Sequence, residues 1–182
     1  MPSLPVVIVL AAGRGERFLA SGGTVHKLNA LLAEKPVIDH VLDAVRASGL
    51  PFYLVEADVL RPGMGDSIAA GVRANPAASG WMILPADLPL IRSETLRTIA
   101  LAPPASVTVQ MYGGQRGHPV RFGRACFQRL ADLKGHSGAA TVLRAEEAIN
   151  SVAFIALDDI GTVTDVDTLE DLKRAHDLLI SR

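Results

Sequence analysis

A basic, glycine-rich turn is the first part of this sequence whose residue types suit chemistry. It follows an apolar run and spans residues 13–17, Gly-Arg-Gly-Glu-Arg. Backbone N–H groups in such a turn, together with guanidinium groups that bind through two hydrogen bonds, suit a polyphosphate. Lys27 could add a positive charge to the same phosphates, although a lone lysine usually lies in solvent. A turn with solvated charges remains the alternative.

Two nucleotide-binding motifs fit this turn poorly. The dinucleotide fingerprint G-x-G-x-x-G requires a third glycine where the sequence has Phe18. The acidic residue that would close its second strand, Glu56, lies too far downstream. The Walker pattern fails as well, because no Gly-Lys-Ser/Thr follows at the required spacing. An NAD-dependent oxidoreductase is therefore disfavoured.

Three carboxylates form the second candidate group. Asp87 lies at the end of an apolar stretch. A single carboxylate there suits Mg²⁺, whose other ligands would be water and substrate phosphates. The alternative is that Asp87 caps a helix. Asp165 and Asp167 are two residues apart, so in an extended segment both could face one metal ion. Capping is again the alternative: Asp167 or Thr168 would begin the last helix, with Glu170 completing a capping box.

A glycine-containing loop lies in residues 61–72, RPGMGDSIAAGV. Gly63 and Gly65 would let the backbone approach a ligand closely. The Ser67 hydroxyl or a helix N-terminal amide could then donate to that ligand. A capped turn, with Asp66 or Ser67 as the cap, is the alternative.

Two later segments are also rich in glycine and polar groups. Residues 113–122, GGQRGHPVRF, are expected to form a substrate-recognition loop with Arg116 and His118 as donors, or else a hairpin turn. Residues 134–141, KGHSGAAT, begin a helix at which amides and Ser137 could hold an anion.

The elements that would position these groups alternate between strand and helix. Short apolar runs predict strands, and apolar residues on one helical face predict helices. The predicted strands are 6–10, 52–56, 81–87, 106–112 and 151–157, and the predicted helices are 36–48, 66–75, 93–101 and one from about residue 168. The alternation predicts an α/β fold, a Rossmann-like three-layer sandwich with a mostly parallel sheet and helices on both faces. Ligands bind outside the carboxyl ends of such strands.

Composition narrows the class of protein. The 182 residues are 49% hydrophobic and 20% charged, which predicts one soluble domain over residues 1–182. A net charge of −1 argues against an extended nucleic-acid groove, and no apolar run is long enough to span a membrane. The N-terminus lacks the pattern of a signal peptide, and the single Cys126 cannot form an intramolecular disulfide. We therefore expect a cytoplasmic protein with no membrane or nucleic-acid partner.

Taken together, the motifs resemble those of the nucleotidyltransferase superfamily that includes molybdenum cofactor guanylyl- and cytidylyltransferases. The segments that carry the resemblance are LAAGRGERF, Lys27, GMGDSIAAGV, LPADLPLI, GHPVRF, GHSGAAT and DVDTLEDL, in the family's order from residue 10 to about 172. Three of these elements are most similar to the cytidylyltransferase-like branch: GM–x–x–S, GHP–V–x–F and D–V–D–T–x–E–D.

The resemblance implies a nucleotide-diphospho-sugar transferase-like fold and a Mg²⁺-dependent reaction. An NTP, with CTP favoured over GTP, would give its NMP to a phosphorylated acceptor, favoured as molybdopterin cofactor, and pyrophosphate would leave. A molybdoenzyme or its chaperone would be a further partner. The implied nucleotide-binding residues are Leu10, Ala11, Ala12, Gly13, Gly15, Gly63, Met64 and Ser67. The implied catalytic residues are Arg14, Arg17, Lys27 and Asp87. The implied metal ligands are Asp87, Asp165 and Asp167. The implied acceptor-binding residues are Gly117, His118 and Pro119. The anion-binding candidate Ser137 is added to the acceptor-binding set.

Two departures from the family pattern leave alternatives open. The residues LASGGTVH separate Phe18 from Lys27, whereas the family has only a few residues between its basic turn and its lysine. Either Lys27 still reaches the phosphates, or Arg14 and Arg17 supply most of the phosphate contacts. Ala86 stands where the family has glycine, a small change that should be tolerated.

Two rival functions remain open. The main rival is a guanylyltransferase or a nucleotidyltransferase that acts on a sugar phosphate or another small-molecule phosphate. A non-catalytic chaperone that carries a cofactor to a molybdoenzyme is a rival of another class.

Overall fold

Strands and helices alternate along residues 3–182, the part of the chain that the computed structural model describes. The strands are β1 (Val6–Ala11), β2 (Leu31–Leu32), β3 (Lys35–Pro36), β4 (Phe52–Glu56), β5 (Gly80–Pro85), β6 (Val107–Tyr112), β7 (Gln115–Gly123) and β8 (Val152–Ala156). The α-helices are α1 (Glu16–Ala20), α2 (Val37–Ser48), α3 (Met64–Ala74), α4 (Ser93–Leu101), α5 (Phe127–Ala131), α6 (Ala140–Glu147) and α7 (Leu169–Ile180). Short 3₁₀ turns cover Lys27–Asn29, Arg124–Cys126 and Ile160–Thr162.

The main sheet is mixed but mostly parallel. Its strand order is β4-β1-β5-β7-β6-β8, while β2 and β3 pair in a separate hairpin. Strand β7 runs antiparallel to both of its neighbours, and the other pairings in the main sheet are parallel. The predicted mostly parallel α/β sheet is confirmed.

Helices cover both faces of this sheet because alternate side chains of a strand point to opposite sides. In β1, Val7 and Val9 pack into one apolar cluster, which contains residues of α2, α4 and α7. Val6 and Ile8 pack into a second cluster, with residues of α3, α5 and α6. This arrangement is the three-layer sandwich that the sequence predicts.

Some boundaries differ from the sequence predictions for local reasons. Helix α3 begins at Met64 because Asp66 accepts a hydrogen bond from the backbone N–H of Gly63, so neither Asp66 nor Ser67 is the N-cap. Residues 113–122 form the hairpin alternative: two glycines with positive φ join β6 to β7. Thr168 caps α7 as predicted, but its capping-box partner is Asp171 rather than Glu170.

Within residues 3–182, no helix combines the length and the apolar character that crossing a bilayer requires.

Candidate active site

A cleft of about 950 Å³ opens at the carboxyl ends of β1 and β5. Parallel α/β sheets bind ligands at this edge. The cleft is lined by the turn after β1, Lys27, the β4–α3 loop, Asp87, part of β7, the segment leading into α6, and residues 162–167. The candidate residues that line it are Leu10, Ala12, Gly13, Arg14, Gly15, Arg17, Lys27, Gly63, Met64, Ser67, Asp87, Arg116, His118, Asp165 and Asp167.

The three candidate carboxylates meet in this cleft. Asp87 follows β5, and its carbonyl oxygen accepts a hydrogen bond of 2.9 Å from the N–H of Val166. That bond fixes the segment before α7 to the end of β5, with Asp165 and Asp167 on either side of the buried Val166. One carboxylate oxygen from each of the three aspartates lies within 4.8 Å of the others.

Lys27 reaches these carboxylates despite the longer loop that precedes it. Its Nζ donates to Asp87 Oδ2 at 2.6 Å and to Asp167 Oδ1 at 2.7 Å. Arg17 Nη2 lies 2.9 Å from the other oxygen of Asp167. The Lys27 side chain is only 13% exposed, whereas that of Arg17 is 77% exposed at the rim. The buried ammonium of Lys27 and the exposed guanidinium of Arg17 therefore share the carboxylate of Asp167.

Burial and charge act on the pKa values of this cluster in opposite directions. Burial disfavours charged Lys27, but Asp87 and Asp167 outweigh it and raise the pKa of that ammonium. Burial also works against charged Asp167, but Lys27 and Arg17 hold the pKa of this carboxyl below its ordinary value. Asp165 pairs with no basic residue among residues 3–182, and burial together with the charges of Asp87 and Asp167 raises its pKa.

The carboxylate cluster fits a divalent cation. Asp87 Oδ1 is buried and has no hydrogen-bond partner among residues 3–182, so one oxygen of the cluster has an unused acceptor site. Hard cations such as Mg²⁺ and Mn²⁺ prefer carboxylate oxygens, completed by water and phosphate. A cation would also relieve the mutual repulsion that raises the pKa of Asp165.

The turn after β1 offers unused backbone donors to the cleft. Within the described part of the chain, the N–H groups of Gly13, Arg14 and Gly15 make no backbone or side-chain hydrogen bond. Gly15 has a φ of 68°, the left-handed conformation that glycine adopts without a Cβ clash. Arg14 is 74% exposed and lies 3.7 Å from Glu16. Free amides and exposed guanidinium groups are suitable ligands for an anion.

The loops before α3 and α6 are in direct contact and form one wall of the cleft. The N–H of Gly65 donates to Gly135 O at 2.8 Å. Ser67 lies behind this contact, 2% exposed, and its Oγ has no hydrogen-bond partner among residues 3–182. The cleft therefore contains a buried hydroxyl that a ligand could satisfy.

His118 faces the cleft from β7. Burial lowers the pKa of its imidazole, and the negative charge of Asp87 opposes that shift. Its neighbours Gly117 and Pro119 are buried and do not line the cleft, and a Cβ on Gly117 would lie 2.3 Å from Gln110 Oε1. Ala11 and the exposed Ser137 are likewise outside the lining. These four candidates lie beside the cleft rather than in its wall.

Several lining residues were not singled out from the sequence. Thr162 and Val163 line the cleft from a 3₁₀ turn and the residue after it, and His136 lines it from the loop before α6. The apolar Ile83 and Phe122 form part of its floor. Apolar strand residues carry no signal that distinguishes a cleft floor from a core. The 3₁₀ turn is too short to show periodicity.

Comparison with known proteins identifies the family. The model of the MobA-like NTP transferase domain matches residues 7–150. The chain belongs to this family. The match ends before Asp165 and Asp167, the two aspartates that meet Asp87 in this MobA-like NTP transferase.

Relatives and solved structures agree with this placement. The purine catabolism protein PucB of Bacillus subtilis is 28% identical over 90% of this chain and 92% of its own length. The structure of Rv0371c from Mycobacterium tuberculosis is 26% identical with a TM-score of 0.75, over 97% of this chain and 99% of that one. A nucleotidyl transferase from Methanothermobacter shares the fold, with 20% identity and a TM-score of 0.82 over 98% of both chains. Rv0371c has also been solved with manganese, at 24% identity and a TM-score of 0.70, over 96% of this chain and 99% of that one.

Proposed function

We propose that this MobA-like NTP transferase moves the NMP group of an NTP, CTP in preference to GTP, onto the phosphate of a molybdopterin-type acceptor. The observation that carries the proposal is the contact of Lys27 with Asp87 and Asp167, directly beside the basic turn of residues 13–17. Cationic groups and carboxylates within one cleft suit a substrate that brings both phosphates and a metal ion.

The turn and the basic residues would hold the triphosphate. The free N–H groups of Gly13, Arg14 and Gly15 would donate to phosphate oxygens, and Arg14 and Arg17 would add bidentate contacts. Leu10, Ala11 and Ala12 lead into this turn from β1. Gly63, Met64 and Ser67 would contact the base or ribose, with the Ser67 hydroxyl as hydrogen-bond partner. The preference for CTP rests on the motifs of the cytidylyltransferase-like branch.

Asp87, Asp165 and Asp167 would hold Mg²⁺. Mg²⁺, when bound, would neutralise phosphate charge and orient the triphosphate for in-line displacement. Lys27 would stay within reach of the same phosphates as a buried positive charge, where a low local dielectric strengthens its effect.

The acceptor would enter from the side of β7. His118, flanked by Gly117 and Pro119, would border it, and Ser137 would lie at the edge of its site. An oxygen of the acceptor phosphate would form a bond to the α-phosphorus while the bond to the bridging oxygen of pyrophosphate breaks. The acceptor phosphate is already ionised at neutral pH, so catalysis would rest on positioning and charge neutralisation rather than on a strong general base.

We also propose that residues 1–182 act as one nucleotidyltransferase domain. Both apolar clusters pack on a single sheet, and the segment after residue 150 supplies two of the three carboxylates.

The decisive experiment measures pyrophosphate release with each of the four NTPs, Mg²⁺ and molybdenum cofactor. We expect release with CTP, and a loss of about 100-fold or more in Asp87→Ala, comparable to removing a preorganised group that stabilises transition-state charge. Asp43→Ala is the matched control, because Asp43 pairs with Lys35 on the surface away from the cleft.

Other outcomes would identify the rival functions. Release with GTP alone would indicate a guanylyltransferase, and turnover only with a sugar phosphate or another small phosphate would replace the acceptor. Nucleotide or cofactor binding without turnover would indicate a cofactor-carrying chaperone. Equal activity of the wild type and Asp87→Ala would contradict the metal assignment.

A further inference from the structure

The segment that returns the chain from α1 to Lys27 ends in a histidine whose two ring nitrogens are both engaged. His26 Nδ1 accepts a hydrogen bond of 3.2 Å from the backbone N–H of Leu28. This leaves the ring proton on Nε2, which lies 2.7 Å from the carbonyl oxygen of Gly13 and donates to it. One imidazole therefore joins the 3₁₀ turn that carries Lys27 to the turn that follows β1.

The ring also packs against the turn that it holds. A Cβ added to Gly15 would lie 3.3 Å from the ring atoms Cδ2 and Nε2 of His26, and 3.5 Å from the N of Lys27. The imidazole therefore lies closer to the backbone at Gly15 than a side chain there would readily permit. Residues 13–15 and residue 27 are held as neighbours although α1 and the segment after it separate them along the chain.

The bond engages the Gly13 carbonyl and leaves the amides free. A carbonyl oxygen repels a phosphate, whereas the N–H groups of Gly13, Arg14 and Gly15 can donate to one. Because His26 occupies the Gly13 oxygen, this carbonyl has a fixed direction, and the orientation of the adjoining peptide follows from it. The same ring sets the start of the turn from which Lys27 reaches Asp87 and Asp167.

We propose that His26 is a positioning residue for the nucleotide site, which acts through the Gly13 carbonyl and fixes the basic turn relative to Lys27. The proposal rests on the proposed function, in that the turn and Lys27 bind the same triphosphate. It accounts for how a chain with a long segment between the turn and the lysine still brings them together.

Two near-isosteric variants separate the two hydrogen bonds. His26→Asn places an acceptor where Nδ1 lies and keeps the bond from Leu28, but it cannot reach Gly13. His26→Gln places a donor where Nε2 lies and can keep the bond to Gly13. His40→Asn is the matched control, because His40 Nε2 also bonds a backbone carbonyl, that of Leu32, outside the cleft.

The measurement is the Kd, with Mg²⁺, for whichever of the four NTPs the wild type binds most tightly, with CTP expected, by titration calorimetry on variants whose folding is verified by circular dichroism. We expect His26→Asn to weaken binding about fivefold, the weight of one hydrogen bond, and His26→Gln and His40→Asn to bind like the wild type. Equal weakening by Asn and Gln, or no weakening by Asn, would overturn the proposal.

A second measurement needs no nucleotide. Long-range proton–nitrogen NMR of the ligand-free wild type should show His26 as the neutral tautomer protonated on Nε2. A proton on Nδ1, or an average of both tautomers, would overturn the proposal. If the wild type binds none of the four NTPs, the proposed function fails, and the NMR result alone decides whether His26 holds Gly13.

Discussion

At the scale of single residues, Lys27 is the group on which the cleft depends most. Its ammonium occupies one oxygen of Asp87 and one of Asp167, two of the three carboxylates that fit a divalent cation. A cation bound among these carboxylates is repelled by the charge of the ammonium, and one that uses the same two oxygens competes with it directly. A metal ion and the ammonium would therefore compete for the carboxylates in the protein alone, and the phosphates of the proposed substrate would favour the binding of both.

This competition predicts that removing Lys27 strengthens metal binding while it weakens turnover. In Lys27→Met without nucleotide, we expect the Kd for Mn²⁺ to fall about tenfold, since removing a nearby unit charge in a partly buried site is worth on the order of 1–4 kcal/mol. Electron paramagnetic resonance of free Mn²⁺ measures this Kd directly. Lys35→Met, which breaks the surface pair with Asp43, should leave it unchanged. Equal or weaker Mn²⁺ binding by Lys27→Met would contradict the competition.

At the scale of elements, the wall of the cleft depends on glycines that let two loops touch. A Cβ on Gly65 would lie 2.4 Å from the carbonyl oxygen of Ser137, and one on Gly63 would lie 2.0 Å from that of Gly135. Both obstacles are backbone atoms, so no rotation of a side chain can relieve the clash. The close packing of the loop before α3 against the loop before α6 therefore requires glycine at both positions.

The sign of the Gly65→Ala effect on stability tests this contact. Gly65 is the second residue of α3, where alanine would ordinarily stabilise the helix by up to about 1 kcal/mol. The clash should reverse that sign and lower the free energy of unfolding by about 1–3 kcal/mol, as overpacking does. Denaturant titration measures the change, with Gly13→Ala as control because its Cβ would meet nothing within 4 Å. A rise in stability in Gly65→Ala would show that the loops do not pack in this way.

The same elements show what the sequence could and could not predict. Apolar strands and amphipathic helices have a periodicity that identified most of the sheet and placed Asp87 and the basic turn at strand ends. Helix α1 and the β2–β3 hairpin are too short for such a signal. The Lys27–Asp87 bond joins residues far apart along the chain, and the role of His26 depends on a bond to Gly13 across a loop. Neither is encoded in local spacing, so both required the folded geometry.

At the scale of the whole molecule, an ion pair between a buried glutamate and an exposed arginine joins helices on the face opposite α2, α4 and α7. Glu146 of α6 is 2% exposed and pairs with Arg129 of α5. Its carboxylate also interacts with Ser106 and Ser151, which precede β6 and β8. Neither Glu146 nor Arg129 lines the cleft. The pair therefore affects the stability of the fold without touching the candidate active site.

This pair predicts that the free energy of unfolding falls at acidic pH. The hydrogen bond from Arg129 outweighs burial and holds the pKa of Glu146 below its ordinary value of 4.5. Because the folded pKa is the lower one, the pair contributes its full stability above the unfolded pKa and loses it as pH falls through the folded value. We expect Glu146→Gln to be less stable than the wild type at neutral pH, and the difference in unfolding free energy to shrink on acidification below 4.5. Urea unfolding at a series of pH values measures this difference.

Glu94→Gln, which alters an exposed helix residue, should show only a small, nearly constant difference. A difference for Glu146→Gln that grows towards acid would mean that the carboxyl is neutral in the folded protein.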